Sequence, residues 1–179
     1  MKSATRILLA FALCIMPLAL HADSILGQSG TVEYDFSNVG SIYDGPVGFT
    51  VTGAPTVIYL NQDFGAPGLV QNTITASGID VTFTNSAGWS GAAFNGEVYT
   101  FPGLNITNVT AAGDYATDTV VTFDSTHIYL NWQGSPFSTS DDLTLTINGG
   151  SPIPEPSSML LIGSGLLAGA GALRRKLSI

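Results

Sequence analysis

The chain is short of the residues that most function classes depend on. Its one cysteine, Cys14, lies inside an N-terminal apolar run, so disulfides, thiolate catalysis, iron–sulfur clusters and zinc–cysteine sites drop out together. Lys and Arg number five against 13 Asp and Glu, for a formal charge of −8, and all five sit at the ends: Lys2, Arg6, Arg174, Arg175 and Lys176. Between residues 7 and 173 there is no side chain to neutralise a phosphate, which excludes nucleic acid and other polyanions as partners of the central region. Between residues 23 and 150 there is also no Met, Lys or Arg, and with those good helix formers missing the composition points away from helix.

The two ends have the composition of addresses. Residues 1–22 read as a secretory signal peptide: the basic Lys2 and Arg6, the apolar stretch from Ile7 to Leu20, and a polar turn at Asp23-Ser24, with cleavage expected after Ala22. At the other end, residues 151–158 form a proline-rich linker, because each proline lacks an amide hydrogen and turns its predecessor away from helix. Met159 to Leu173 follows without a charge, about 22 Å of helix at ~1.5 Å per residue. Together with the two serines before it, this run just spans a thin bilayer. Arg174, Arg175 and Lys176 close it as a basic stop that stays cytoplasmic by the positive-inside bias.

Pro154-Glu155-Pro156, then a Gly/Ala/Leu-rich apolar stretch, then the basic cluster, in that order at the C-terminus, resembles the PEP-CTERM sorting signal of exopolysaccharide-producing Gram-negative bacteria. The resemblance implies recognition of Pro154, Glu155 and Pro156 by an exosortase, a membrane-embedded protease-transpeptidase, and processing near the motif. It further implies transient anchoring in the inner membrane through residues 159–176, and then a place at the cell surface, in the outer envelope or outside the cell. Ile153 stands where the family often has valine, and Leu177-Ser178-Ile179 run past the basic stop; neither alters the charge logic.

Residues 23–150 are expected to fold as one antiparallel β-sandwich, jelly-roll or immunoglobulin-like. Apolar residues alternate with polar ones at Val32, Tyr34 and Phe36, at Val47, Phe49 and Val51, and at Ile79, Val81 and Phe83. The same period recurs at Val121 and Phe123, at Ile128, Leu130 and Trp132, and at Leu143, Leu145 and Ile147. Two-residue alternation is the pattern of strands with one face in a core and one in water. Asp44-Gly45-Pro46, Asn95-Gly96, Ala112-Gly113-Asp114 and Asn148-Gly149-Gly150 read as the turns between strands. Asn95-Gly96 is the strongest hairpin signal among them, since a type I′ turn needs positive φ at both central residues.

Chemistry-bearing constellations are sparse. Gly163-Ser164-Gly165-Leu166-Leu167-Ala168 fits a dinucleotide-binding pattern, but too little chain follows for a βαβ unit, and no cofactor is expected. His127, the histidine that remains once the signal peptide with His21 is removed, stands three residues after Asp124 on a polar strand face, without a nucleophile elbow to complete a triad. Glu33 and Glu97 would be the carboxylate pair of a glycosidase, yet both read as solvated residues on polar faces or beside a turn. Asp114 with Asp118, and Asp141 with Asp142, are the acidic turns where calcium would be sought, but no calcium-loop pattern is present and no metal is expected. Trp89, Tyr43, Tyr115 and Tyr129 are the aromatics placed to stack on sugars. The expectation is therefore a non-enzymatic, exported structural or adhesive protein of the cell envelope or extracellular matrix. The rival reading is a carbohydrate-binding module with exopolysaccharide as partner.

Overall fold

The computed structural model describes residues 24–62 and 65–150. The signal peptide, the Pro154-Glu155-Pro156 motif, the apolar tail and the basic stop lie outside the described residues, and no helix among the described residues is long and apolar enough to cross a membrane. What is described is an all-β sandwich. Its strands are β1 (Ser29–Ser37), β2 (Ile42–Thr50), β3 (Thr56–Leu60), β4 (Val70–Thr75), β5 (Gly78–Phe83), β6 (Ala87–Gly88), β7 (Phe94–Thr100), β8 (Asn105–Ala112), β9 (Val120–Phe123), β10 (His127–Asn131), β11 (Pro136–Phe137) and β12 (Asp142–Gly150). One sheet has the order β2-β1-β7-β10-β9, the second has the order β3-β4-β5-β12-β8, and β11 pairs with β6 as a small ribbon. All pairings are antiparallel.

Alternation decides which side chains meet between the sheets. In the first sheet the inward rows run across the strands as Val32, Tyr99 and Ile128, then Tyr34, Glu97 and Leu130. In the second they run as Val70 and Phe83, then Asn72, Val81 and Leu143, then Ile74, Ile79 and Leu145. Apart from the four polar or phenolic positions Tyr34, Glu97, Asn72 and Tyr99, these rows are apolar, and every residue in them is buried. One end of the core is aromatic: Trp132 stacks on Trp89 at 5.0 Å and 25°, Trp89 on Phe137 at 4.5 Å and 27°, and Phe83 meets Tyr115 edge-on at 4.9 Å. Offset and edge-on ring pairs of this kind add ~0.5–1.5 kcal/mol each beyond the area they bury.

Several turn signals are not turns. Asn95-Gly96 lies inside β7, the central strand of its sheet, and not at a hairpin. Gly96 is there because a Cβ would run into the Leu130 carbonyl of the neighbouring strand, and Asn95 because its amide is hydrogen-bonded in the interior. Asp44-Gly45-Pro46 belongs to β2, where Gly45 at φ +96 sits at a break in the register against β1, a β-bulge and not a connection. Asn148-Gly149-Gly150 continues β12 through a second break in register, opposite β8. Ala112-Gly113-Asp114 does end β8 and opens a short 3-10 turn at Asp114–Thr117.

Candidate functional site

Three neighbouring segments build a cleft at the aromatic end of the sandwich. β1 brings Tyr34 and Phe36 to its end, the first residues of β2 bring Tyr43, and the chain leaving β3 brings Asn61. Trp89 and Asn95 complete it from the side of β7, around a recess of about 270 Å³. Phe36 keeps the inward alternation of Val32 and Tyr34, but at the strand's end it reaches past the packed core. It is 40 % exposed, against the 51 % exposed ring of Tyr43 at 6.2 Å and 71°. Tyr43 also meets Tyr34 edge-on at 6.0 Å.

The polar groups of this cleft are tightly held except for Asn61 Oδ1 and Trp89 Nε1, which are buried without a hydrogen-bond partner among the described residues. The Tyr34 hydroxyl donates to Asn95 Oδ1, and Asn95 Nδ2 donates to the Ser90 carbonyl at 3.3 Å and to Ser90 Oγ at 3.1 Å. Asn61 has a left-handed backbone, φ 62, which asparagine tolerates better than most residues. Its amide hydrogen goes to Asp44 Oδ2 at 2.7 Å, and its carbonyl accepts from Leu69 N at 3.1 Å. Its side chain is 3 % exposed, and Oδ1 has no hydrogen-bond partner among the described residues. Burial raises the Tyr34 phenol well above the usual tyrosine range, and the charge of Glu97 pushes the same way.

Behind the cleft lies a buried polar ring that joins the two sheets. Asn72 Nδ2 of β4 donates to Glu97 Oε1 of β7 at 2.8 Å, Tyr99 Oη lies 2.7 Å from Glu97 Oε2, and the same hydroxyl bonds Asn72 Oδ1. A single phenolic hydrogen cannot serve both acceptors. With Glu97 protonated the conflict disappears: Glu97 donates to Tyr99, Tyr99 to Asn72, and Asn72 back to Glu97, each group giving and receiving once. The electrostatics agree, because burial pushes the Glu97 carboxyl up to about 7 against the opposing pull of the Asn72 and Tyr99 hydrogen bonds.

Glu97 is thus a core residue, 0 % exposed, and not the solvated carboxylate expected from its place beside a supposed turn. Glu33 pairs with Val98 and faces outward, on the opposite side of the sheet from Glu97. The two carboxylates do not flank a common cleft, which the paired chemistry of a glycosidase requires.

His127 and Asp124 do come together. His127 Nδ1 lies 3.0 Å from both carboxylate oxygens, the imidazole stacks on Tyr129 at 5.8 Å and 27°, and the Tyr129 hydroxyl donates to Asp124 at 3.2 Å. The Thr126 hydroxyl shares Nδ1 with the carboxylate at 3.0 Å, whereas a nucleophile would need the far nitrogen. The backbone N–H of Thr126, and after it the hydrogen bonds from His127, hold Asp124 well below the usual carboxylate range.

Of the acidic turns, Asp141 Oδ2 accepts from Ser138 N at 2.7 Å, and among the described residues no group of three or more His, Cys, Asp or Glu is placed to hold a metal ion. Of the four candidate sugar platforms, Tyr43 and Trp89 line the cleft and Tyr129 lies on the outer face of the first sheet. Tyr115 is buried under Phe83 and cannot serve. Phe36 and Asn95 were read from the sequence only as strand and turn residues, and Asn61 was not singled out. The one available signal was polar: Asn72 occupies the inward position between Val70 and Ile74 in an otherwise apolar alternation, which marks a place where the two sheets exchange hydrogen bonds.

Fold and cleft together define a β-sandwich domain with a small open recess at one end. Residues 152–176 match the family model of the PEP-CTERM protein-sorting motif. The match takes in Pro154, Glu155, Pro156 and the basic stop at Arg174, Arg175 and Lys176, and it supports an exported protein that is processed by an exosortase and anchored at its C-terminus. No curated protein and no solved structure matches the chain.

Proposed function

We propose that the chain is a non-enzymatic structural or adhesive protein of the bacterial cell envelope or extracellular matrix. On this reading the signal peptide exports it, the tail holds it briefly in the inner membrane, and an exosortase releases or transfers the folded sandwich. The observation that carries the reading is the sorting motif at residues 152–176, set directly behind a fully packed β domain. The charge distribution is consistent with it: a domain without Lys or Arg stays soluble and anionic outside the cell, and approaches acidic polymers only when divalent cations bridge the two.

The test is the intact mass of the protein recovered from producing cells, compared with a Glu155→Ala variant. The expected wild-type mass lacks residues 1–22 and the tail beyond Pro156, while the variant keeps its tail. A tail retained in both would make the C-terminus a plain anchor and confine the protein to the membrane.

A further inference from the structure

We propose that the cleft formed by Tyr34, Phe36, Tyr43, Asn61 and Trp89 is a binding site for a neutral sugar, one pyranose ring at a time. A recess of about 270 Å³ falls just under the ~300 Å³ at which small-molecule pockets begin, so it suits a single ring and not an extended chain. The exposed rings of Phe36 and Tyr43 offer apolar faces of the kind that sugar C–H groups stack on. Asn61 offers the polar complement. Its amide lies beside the Tyr34 hydroxyl, and its Oδ1 is buried without a hydrogen-bond partner among the described residues, a state relieved when a hydroxyl donates to it. Because this oxygen is closed to water in the free protein, a side chain of the cleft gives way as the ligand enters.

Charge selects among sugars. The cleft has no Lys or Arg, and the carboxylate of Asp44 beside it holds the Asn61 backbone. A uronate or sulfated sugar therefore meets the Asp44 carboxylate and no counter-charge, whereas a neutral hexose meets rings and amides.

The position of the cleft suits capture of something outside. β12 pairs Asp142 with Thr82 at the cleft end, beside Phe83, and runs eight residues further to Gly150, about 27 Å at ~3.4 Å per residue. The N-terminal segment is at that far end as well, with Ile25 N bonded to the Ala76 carbonyl. β12 thus ends away from the cleft. This inference is independent of tail processing: sugar binding can fail while the Glu155 test succeeds, and the reverse.

The experiment is saturation-transfer NMR on the full chain in a detergent that contains no sugar, with D-glucose, D-galactose and D-mannose as probes and D-glucuronate as the acidic control. At least one neutral hexose is expected to saturate near ~1 mM, with transfer to its C–H protons and with glucuronate clearly weaker. Tyr43→Ala and Asn61→Gly, the latter keeping the left-handed backbone while deleting the amide, should each weaken binding about tenfold or more. Tyr129→Ala, on the outer face of the first sheet, should leave it unchanged. Should Asn61→Gly melt early, Phe36→Ala takes its place. Absence of hexose saturation, survival of binding in the cleft variants, loss in Tyr129→Ala alone, or equal binding of glucuronate would each overturn the proposal.

Discussion

The core of this sandwich joins its two sheets in two different ways. At the cleft end the contact is dry and aromatic: Trp132, Trp89, Phe83 and Phe137 pack ring on ring. One row further in, Glu97 and Tyr99 of one sheet and Asn72 of the other make a closed hydrogen-bonded ring with no water-accessible partner. The dry contact gains stability from every ring but discriminates poorly between registers, since apolar surfaces tolerate sliding. The polar ring adds little net stability, because its bonds replace bonds to water. It penalises any slip that leaves a buried carboxyl unpaired. One region supplies energy and the other supplies uniqueness.

If that division is right, the aromatic region gives the largest loss. Trp132 is 0 % exposed and touches Trp89 at 5.0 Å, Phe83 at 5.7 Å and Tyr34 at 6.5 Å. Trp132→Ala should cost ~3–5 kcal/mol in urea unfolding and remove most of the near-ultraviolet ellipticity from the stacked indoles. A loss below about 1 kcal/mol would mean that the aromatic end is not where the stability resides.

The polar ring should show itself in pH, not in the size of the loss. Glu97 keeps its proton up to about 7 in the folded state, against 4.5 for an ordinary glutamate, so between those values the native state binds more protons than the unfolded one. The Glu97 contribution to stability is therefore fully present below about pH 4.5, falls by roughly 3 kcal/mol as pH rises to about 7, and levels off above. Glu97→Gln places an N–H where the acid's O–H donated, preserves the ring, and should flatten most of that slope when unfolding at about pH 5 is compared with about pH 8. A small slope in the same direction should remain, because burial raises Glu33 and Asp35 too. An unchanged slope in Glu97→Gln would place the titration elsewhere.

The same contrast explains what could be read from the sequence. β5, β10 and β12 bury one face each, so Ile79, Val81 and Phe83, Ile128, Leu130 and Trp132, and Leu143, Leu145 and Ile147 announce themselves by alternation. β7 is buried on both faces: Phe94 and Val98 are covered on the outside while Asn95, Glu97 and Tyr99 point in. Alternation vanishes in such a strand, and Asn95-Gly96 then resembles a turn, although glycine is required there by the Leu130 carbonyl and asparagine by Tyr34 and Ser90. The sorting tail was legible because its order of proline motif, apolar run and basic stop is written along the chain. The cleft was only half legible, through Tyr43 and Trp89. Asn61 becomes a site residue through a backbone conformation and a missing donor, which only the folded chain displays.

The weakest effect should come from the outer face of the first sheet, where Asp124, His127 and Tyr129 form a hydrogen-bonded cluster with no part in either core region. Asp124 is about half exposed, so water already screens its pairing with His127. Its carboxyl is nonetheless held low by the Thr126 backbone N–H. The stability it contributes is present above the ordinary aspartate value and is lost only in strong acid, the opposite direction to Glu97. Asp124→Asn should therefore cost no more than ~0.5–1 kcal/mol at neutral pH and leave the Glu97-dependent slope untouched. A larger cost, or a change in that slope, would tie the outer face to the core and break the separation between a region that stabilises and a region that selects.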